Sequence, residues 1–319
     1  MMKQEPVTLY IVVPCYNEED VLPESCRRLN EVLGNLVSRG SATSESRILF
    51  VNDGSKDSTW ELIQRYHAGE ETVCGVNLAA NAGHQNALMA GLETALPHAD
   101  AIVTIDADLQ DDVTAIGLMV DKFREGCDIV YGVRRERKTD SWFKRTTALA
   151  FYKVMRKLGV KSVYNHADFR LMSRRAAEQL LSYRERNLFL RGIVPLIGYR
   201  TDKVYYDRDK RFAGESKYPL GKMIGFAADG ITSFSIKPIR ALMLLGAIFI
   251  VISLGILIYA LTALFTHTTV SGWTSLILSL WFIGGCILVG LGIVGEYIGK
   301  IYLEVKDRPR YNIETTLLK

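Results

Sequence analysis

Two long stretches without a charged residue constrain this chain more than any other feature. Residues 241–265, 25 in all, contain no Asp, Glu, Lys or Arg, and a second such run covers 276–295. A bilayer crossing needs about 20 apolar residues, and each run supplies that length. The alternative, two buried core helices of a soluble protein, asks a chain of 319 residues to enclose an adjacent pair this apolar. The expectation is therefore two transmembrane helices, about 241–265 and 275–298. Lys237 and Arg240 precede the first, Lys300, Lys306, Arg308 and Arg310 follow the second, and residues 267–273 between them hold neither Lys nor Arg. Lys and Arg concentrate on the cytoplasmic side. Both ends are thus expected in the cytoplasm, with 300–319 as a cytoplasmic tail. Residues 1–6 hold charge but no apolar core, so no cleavable signal is expected and the large N-terminal part should not cross the membrane.

That N-terminal part has a different rhythm. Strand-like and helix-like segments alternate: 9–13 then 24–37, 47–51 then 58–66, 74–78 then 84–96, and 101–105 then 113–125. A further strand is expected at 128–133 and a Lys- and Arg-rich helix at 142–158. This is the pattern of an α/β domain with a mainly parallel sheet, here assigned to 1–218. Residues 219–238 place apolar side chains at helical spacing among Gly and Ser. They are too short and polar to span, and read either as an interfacial segment docking the domain on membrane lipid or as an ordinary surface helix. The five cysteines show no CxxC spacing and are expected to be reduced packing residues. A net charge of +4 is too small to argue for a nucleic-acid partner.

The chemistry-bearing residues gather where strands are expected to end. The apolar run 101–105 leads into Asp106-Ala-Asp108-Leu-Gln110-Asp111-Asp112. Alternation along a strand would put Asp106 and Asp108 on one side, as two hard oxygen ligands for Mg²⁺ or Mn²⁺ with a diphosphate completing the shell. An isolated Asp-x-Asp is equally a solvated loop or helix cap. The first strand ends in Pro14-Cys-Tyr16-Asn-Glu18, where Tyr16 could stack on a base and Glu18 accept from it, or where a turn simply caps a helix. The second ends in Asn52-Asp53-Gly54-Ser55, where Asp53 could take the hydrogen bonds of a nucleotide. Acids at the ends of neighbouring strands repel one another unless a cation or a donor-rich ligand sits there.

In order, Val13-Pro-Cys-Tyr-Asn-Glu18, Asn52-Asp-Gly-Ser55, Asn81-Ala-Gly-His-Gln-Asn-Ala87, Asp106-Ala-Asp-Leu-Gln110, Asp168-Phe-Arg-Leu-Met172 and Arg211-Phe-Ala-Gly-Glu-Ser-Lys-Tyr218 resemble family 2 glycosyltransferases of the GT-A fold. With the apolar pair and the ending Gly295-Glu-Tyr-Ile-Gly-Lys-Ile-Tyr302, the chain resembles the polyprenyl-phosphate glycosyltransferases, relatives of dolichol-phosphate mannose synthase and the bactoprenol glucosyltransferases. The resemblance implies a GT-A domain, Rossmann-like, followed by interfacial helices and two C-terminal transmembrane helices. It also implies inverting transfer of a hexose from a UDP-sugar to undecaprenyl phosphate at the bacterial inner (cytoplasmic) membrane.

By that resemblance Asp53 helps hold the donor nucleotide, and Asp106 and Asp108 bind Mg²⁺ or Mn²⁺ with Gln110 beside it. Gln110 otherwise reads as a helix-start residue, and Pro14, Tyr16, Glu18, His84 and Asp106 are the further donor-binding candidates. Arg134, Arg170, Arg211 and Lys217 are candidate cations for phosphates, or part of a basic face resting on anionic lipid headgroups; Asp168, Asp108 and Arg134 are the catalytic candidates. For Asp168 three roles stay open: base, orientation of acceptor or sugar, and pairing with Arg170. UDP-glucose is the first choice among donors, with N-acetylglucosamine, galactose and aminoarabinose as alternatives. A homo-oligomer, a tetramer by resemblance, is expected, with a flippase and a periplasmic or extracellular glycosyltransferase as functional partners. Two rivals remain: a processive polysaccharide synthase, disfavoured because none of the tryptophans at 60, 142, 273 and 281 follows a Gln-x-x-Arg pattern, and an inactive membrane scaffold for a flippase.

Overall fold

The computed structural model describes residues 5–108, 110–135, 166–186, 188–207, 237–265 and 272–319. The expected basic helix at 142–158, the candidate cations Arg211 and Lys217, most of the expected interfacial segment and the connection 266–271 lie outside the described residues. The chain divides into an α/β unit, which takes in 308–319, and a helical unit within 220–307.

The α/β unit is built on strands β1 (Leu9–Cys15), β2 (Arg47–Asn52), β3 (Val73–Leu78), β4 (Ala101–Thr104), β5 (Ile129–Arg134), β6 (His166–Ser173), β7 (Thr201–Tyr206) and β8 (Ile313–Leu317). They form one sheet in the order β7-β5-β6-β4-β1-β2-β3-β8. β1, β2, β3 and β4 run parallel, β6 is antiparallel to both β4 and β5, and β8 is antiparallel to β3. The central strands are apolar on both faces, as every residue of β1 is buried, because helices cover both sides. These are α1 (Leu22–Ser38), α2 (Thr59–Gly69), α3 (His84–Ala95), α4 (Ala115–Arg124) and α5 (Arg174–Leu181), with a short α6 (Leu190–Ile193). α1 shows the physical logic: Leu22, Cys26, Leu29, Leu33 and Leu36 recur at three- and four-residue spacing and are all buried. Each leucine so buried contributes about 2 kcal/mol.

The first eight expected elements form within a few residues of the sequence reading. β6, β7 and β8 were not anticipated. β8 lies in the segment set apart as a tail, and its edge pairing with β3 is continued by Ala79 N–H donating to Asn312 O at 2.9 Å.

In the helical unit α7 (Lys237–Phe265) and α8 (Trp273–Val305) cover both charge-free runs, and α8 continues beyond the expected end near 298. Leu242 of α7 meets Gly290 of α8, and Phe249 meets Phe282 with ring centroids 6.0 Å apart. Rising numbers on one helix meet falling numbers on the other, so the pair is an antiparallel hairpin. Large apolar side chains such as Leu276, Leu280, Ile287 and Leu288 face outward. Among the described residues one helical stretch, Phe282–Val305, is long and apolar enough to cross a membrane, and α7 contributes the shorter apolar stretch Ile239–Phe249.

Candidate active site

The parallel strands β4, β1 and β2 lie side by side and end toward the same edge, at Thr104, Cys15 and Asn52, with Thr104 level with Val12. The acid-bearing turns therefore converge on the edge where open α/β sheets place their ligands. After β2, Gly54 adopts φ 63°, and a Cβ there would stand 2.5 Å from Asn81 N, so only glycine fits this turn. Asp53 is buried, and its two oxygens accept from Ala82 N–H (2.7 Å) and Gly83 N–H (3.0 Å). Burial pushes its carboxyl above the usual value, with those two N–H groups opposing. Asp53 thus anchors the loop that leads into α3, and α3 opens with His84.

β4 stops at Thr104, two residues before Asp106, so the two aspartates lie in a turn and not on a strand. Asp108 explains this locally, because its Oδ1 accepts from Gln110 N–H at 3.2 Å and closes an Asx-type turn that competes with strand pairing. Asp106 Oδ1 is buried and has no hydrogen-bond partner. His84 Nε2 lies 3.4 Å from it without forming one. Burial pushes the Asp106 carboxyl up to about 6, opposed by His84 and aided by the other acids. A buried carboxylate oxygen without a hydrogen bond suits a divalent cation. Among the described residues no group of three or more His, Cys, Asp and Glu is arranged to hold a metal.

Asp168 sits on β6 where the antiparallel register, Thr104 opposite Arg170, brings it toward Asp106. Thr104 Oγ1 donates to Asp168 O at 2.6 Å. Its carboxylate accepts from Arg170 Nη2 (2.5 Å) and from Arg191 Nη2 (3.0 Å), and His84 Nε2 is 3.8 Å away. Burial alone would raise its carboxyl; Arg191 and Arg170, with His84 beyond them, hold it well below the usual carboxylate range. Arg170 is 1% exposed, and its Nε and Nη1 lack partners.

Other expected site residues are placed differently. Arg134, at the end of β5, directs Nε and Nη2 onto Asp111 Oδ1 at 3.0 and 2.9 Å, and Tyr206 of β7 donates to the same oxygen at 2.6 Å. Its charge is thereby largely matched by a carboxylate of the protein itself. Pro14 is buried within β1 opposite Val51, while Tyr16 is 44% exposed beyond the strand end. Glu18 N–H donates to Thr59 Oγ1, which fixes the β1 turn against the start of α2. Gln110 is buried beside the Asp108 turn. The sequence reading missed Arg191 and the Asp111–Tyr206 pair. A signal for Arg191 exists: it is the lone charge in the otherwise apolar run 188–197, where a cation must find an acid or water.

Comparison with known proteins identifies the family. Residues 10–181, more than half of the chain, match Glycosyl transferase family 2. The chain is 54% identical over 316 residues to the uncharacterized glycosyltransferase YkoT of Bacillus subtilis (strain 168), covering 99% of this chain and 94% of YkoT. It is 39% identical over 308 residues to the bactoprenol glucosyl transferase of Shigella phage SfII, covering 95% and 96% of the two chains. Among solved structures, the glucosyl-3-phosphoglycerate synthase of Mycobacterium tuberculosis, in complex with Mn²⁺, UDP and phosphoglyceric acid, is similar at a TM-score of 0.45 and 19% identity, over 71% of this chain and 76% of that one. With its acid-lined sheet edge and near full-length relatives, this chain is a glycosyltransferase and belongs to Glycosyl transferase family 2.

Proposed function

We propose that the protein moves a hexose, from UDP-glucose as first choice, to undecaprenyl phosphate on the cytoplasmic leaflet, giving a β-linked polyprenyl-phospho-sugar and UDP. The observation that carries this reading is the Asp106–Asp108 turn with its buried oxygen that lacks a hydrogen bond, in a chain similar over 95% of its length to a bactoprenol glucosyl transferase. Mg²⁺ or Mn²⁺ held by Asp106 and Asp108, with Gln110 alongside, would neutralise the charge that develops on the UDP leaving group. Asp53 fixes the α3 loop, and Tyr16 and Glu18 border the space for the nucleotide. Arg211 and Lys217 are the further cations of the phosphate sites, whereas Arg134 is engaged by Asp111.

A phosphate oxygen of the lipid forms the bond to C1 as the bond from C1 to the UDP oxygen breaks. That oxygen is already anionic near neutral pH, so no strong base is needed. Asp168 suits such a reaction as an orienting anion. Held low by two guanidiniums, it is a poor base; it holds Arg191, and His84 lies between it and Asp106. Membrane attachment through α7 and α8 as a two-span hairpin is supported by their antiparallel contact and by connectivity: the chain leaves the α/β unit before α7 and rejoins it after α8, as a pair of crossings would allow. A tetramer, and a flippase and an outer glycosyltransferase acting on the product, complete the reading.

The test is mass spectrometry of lipids from membranes overproducing wild-type protein or Asp108→Asn. Polyprenyl-phospho-hexose should accumulate only with wild type. An unchanged biological effect of Asp108→Asn without any new lipid would favour the scaffold.

A further inference from the structure

The last strand reaches the nucleotide edge of the sheet through a chain of side chains. Glu314 of β8 accepts from Asn77 Nδ2 at 2.7 Å; Asn77 Oδ1 accepts from Asn52 Nδ2 at 2.7 Å; and Asn52 Oδ1 accepts from Ser55 N–H at 3.3 Å. Ser55 belongs to the turn that holds Asp53 and Gly54, and its own hydroxyl accepts from Asn17 N–H at 3.0 Å, beside Tyr16 and Glu18. Asn52 is only 3% exposed, so its amide has few alternatives to these partners. The segment is fastened on either side of Glu314: Tyr311 donates to Glu93, Arg310 Nη2 donates to Tyr183 O, and Lys319 Nζ donates to Glu70 O at 2.9 Å.

The direction of this chain is set at its outer end. An amide can present either its oxygen or its NH₂ to a neighbour, whereas a carboxylate only accepts. Glu314 therefore draws the Asn77 NH₂ toward itself and turns Oδ1 inward, which makes Asn52 donate to Asn77 and offer its own oxygen to Ser55 N–H. Were Asn77 reversed, its NH₂ would face that of Asn52, and Asn52 would have to rotate its NH₂ against the Ser55 N–H. We propose that Glu314 is a positioning residue for the donor nucleotide: acting through Asn77 and Asn52, it fixes the Asp53–Ser55 turn, so the segment that follows α8 completes the donor site. This rests on the proposed use of a nucleoside-diphosphate donor.

The experiment is equilibrium titration of UDP, in the presence of Mn²⁺, into the purified full-length protein and its Glu314→Gln, Glu314→Ala and Glu314→Lys variants, with donor and lipid KM values and thermal unfolding measured alongside. Gln keeps an acceptor and should bind UDP within about 2-fold of wild type. Ala should bind about 3- to 10-fold more weakly, as loss of one partner of a hydrogen bond predicts. Lys, a donor only, should be weaker still, with the donor KM raised and the KM for polyprenyl phosphate unchanged. Equal UDP affinity in all four proteins, or a Gln variant as weak as Ala, overturns the inference even if melting temperatures move. A wild-type protein that binds no UDP overturns the donor assignment itself, and the inference with it.

Discussion

Asp168 on β6 and Arg191 in α6 are joined by a contact of 3.0 Å between Oδ2 and Nη2, across 23 positions of sequence. With Arg170 on the other oxygen, the carboxylate is clamped by two guanidiniums. A clamped anion of this kind orients its neighbours and is a weak proton acceptor.

Arg191→Ala should therefore lower kcat by about 10- to 100-fold, the scale of losing a positioning contact, and Arg191→Lys should fall between it and wild type. Because the Asp168 carboxyl lies below the usual range, it stays ionised from pH 8 to pH 5, and the rate profile over that window should show no limb from its titration. A limb that disappears in Asp168→Asn would identify Asp168 as a base.

Asp106→Asn and Asp108→Asn should each lower transfer by about 100-fold or more, in line with loss of charge stabilisation at a leaving group. Their stabilities should part company from their activities. Asp106 is pushed up to about 6 by burial and has an unpartnered oxygen, so a neutral isostere there removes a desolvated charge. Thermal unfolding of Asp106→Asn should match or exceed wild type, as expected where a site is kept at the expense of stability.

Much of this was readable from sequence because it is local. Apolar runs ending in Asp53 and Asp106 marked strand ends at one edge, and the spacing of Leu22, Leu29 and Leu36 marked a helix face. β6 was missed because His166, Asp168, Arg170 and Ser173 break the apolar pattern, and the strand is held by antiparallel pairing to β4 more than 60 residues away. β8 was missed because it lies beyond the apolar helices, and nothing local in Ile313–Leu317 announces a partner at Val73–Leu78. The Asp106 turn was read as strand because the Asx bond of Asp108 is a side-chain effect that alternation does not register. Arg191 acquires meaning only when folding brings it to Asp168.

Close packing at α3 predicts a stability effect separate from chemistry. A Cβ on Gly91 would stand 2.3 Å from Val12 Cγ1 and 2.9 Å from Val51 Cγ2, where the helix lies against β1 and β2. Gly91→Ala should destabilise the α/β unit by about 1–3 kcal/mol through overpacking. Gly34→Ala, with open space around the position, is the control, and denaturant unfolding of both checks the difference.

Asp128 predicts the response to acid. Burial would raise its carboxyl, but hydrogen bonds from Arg175 and from Ser173 Oγ (2.9 Å) prevail and hold it below the usual value. A lowered folded-state pKa stabilises above the unfolded value near 3.9, and that contribution is lost as pH falls through the folded value. Wild type should accordingly lose more stability than Asp128→Asn between pH 5 and pH 2, measured as melting temperature against pH, and the two curves should converge at the acid end.

The most direct measurement is transfer of radiolabelled sugar from UDP-glucose, and from the other UDP-sugars, to undecaprenyl phosphate by the purified protein with Mg²⁺ or Mn²⁺ and with EDTA. Label in the lipid phase from one donor, abolished by EDTA and by Asp108→Asn, is the predicted result. Folded protein with accessible lipid that transfers no label from any UDP-sugar, or transfers it equally well in EDTA, would contradict the account.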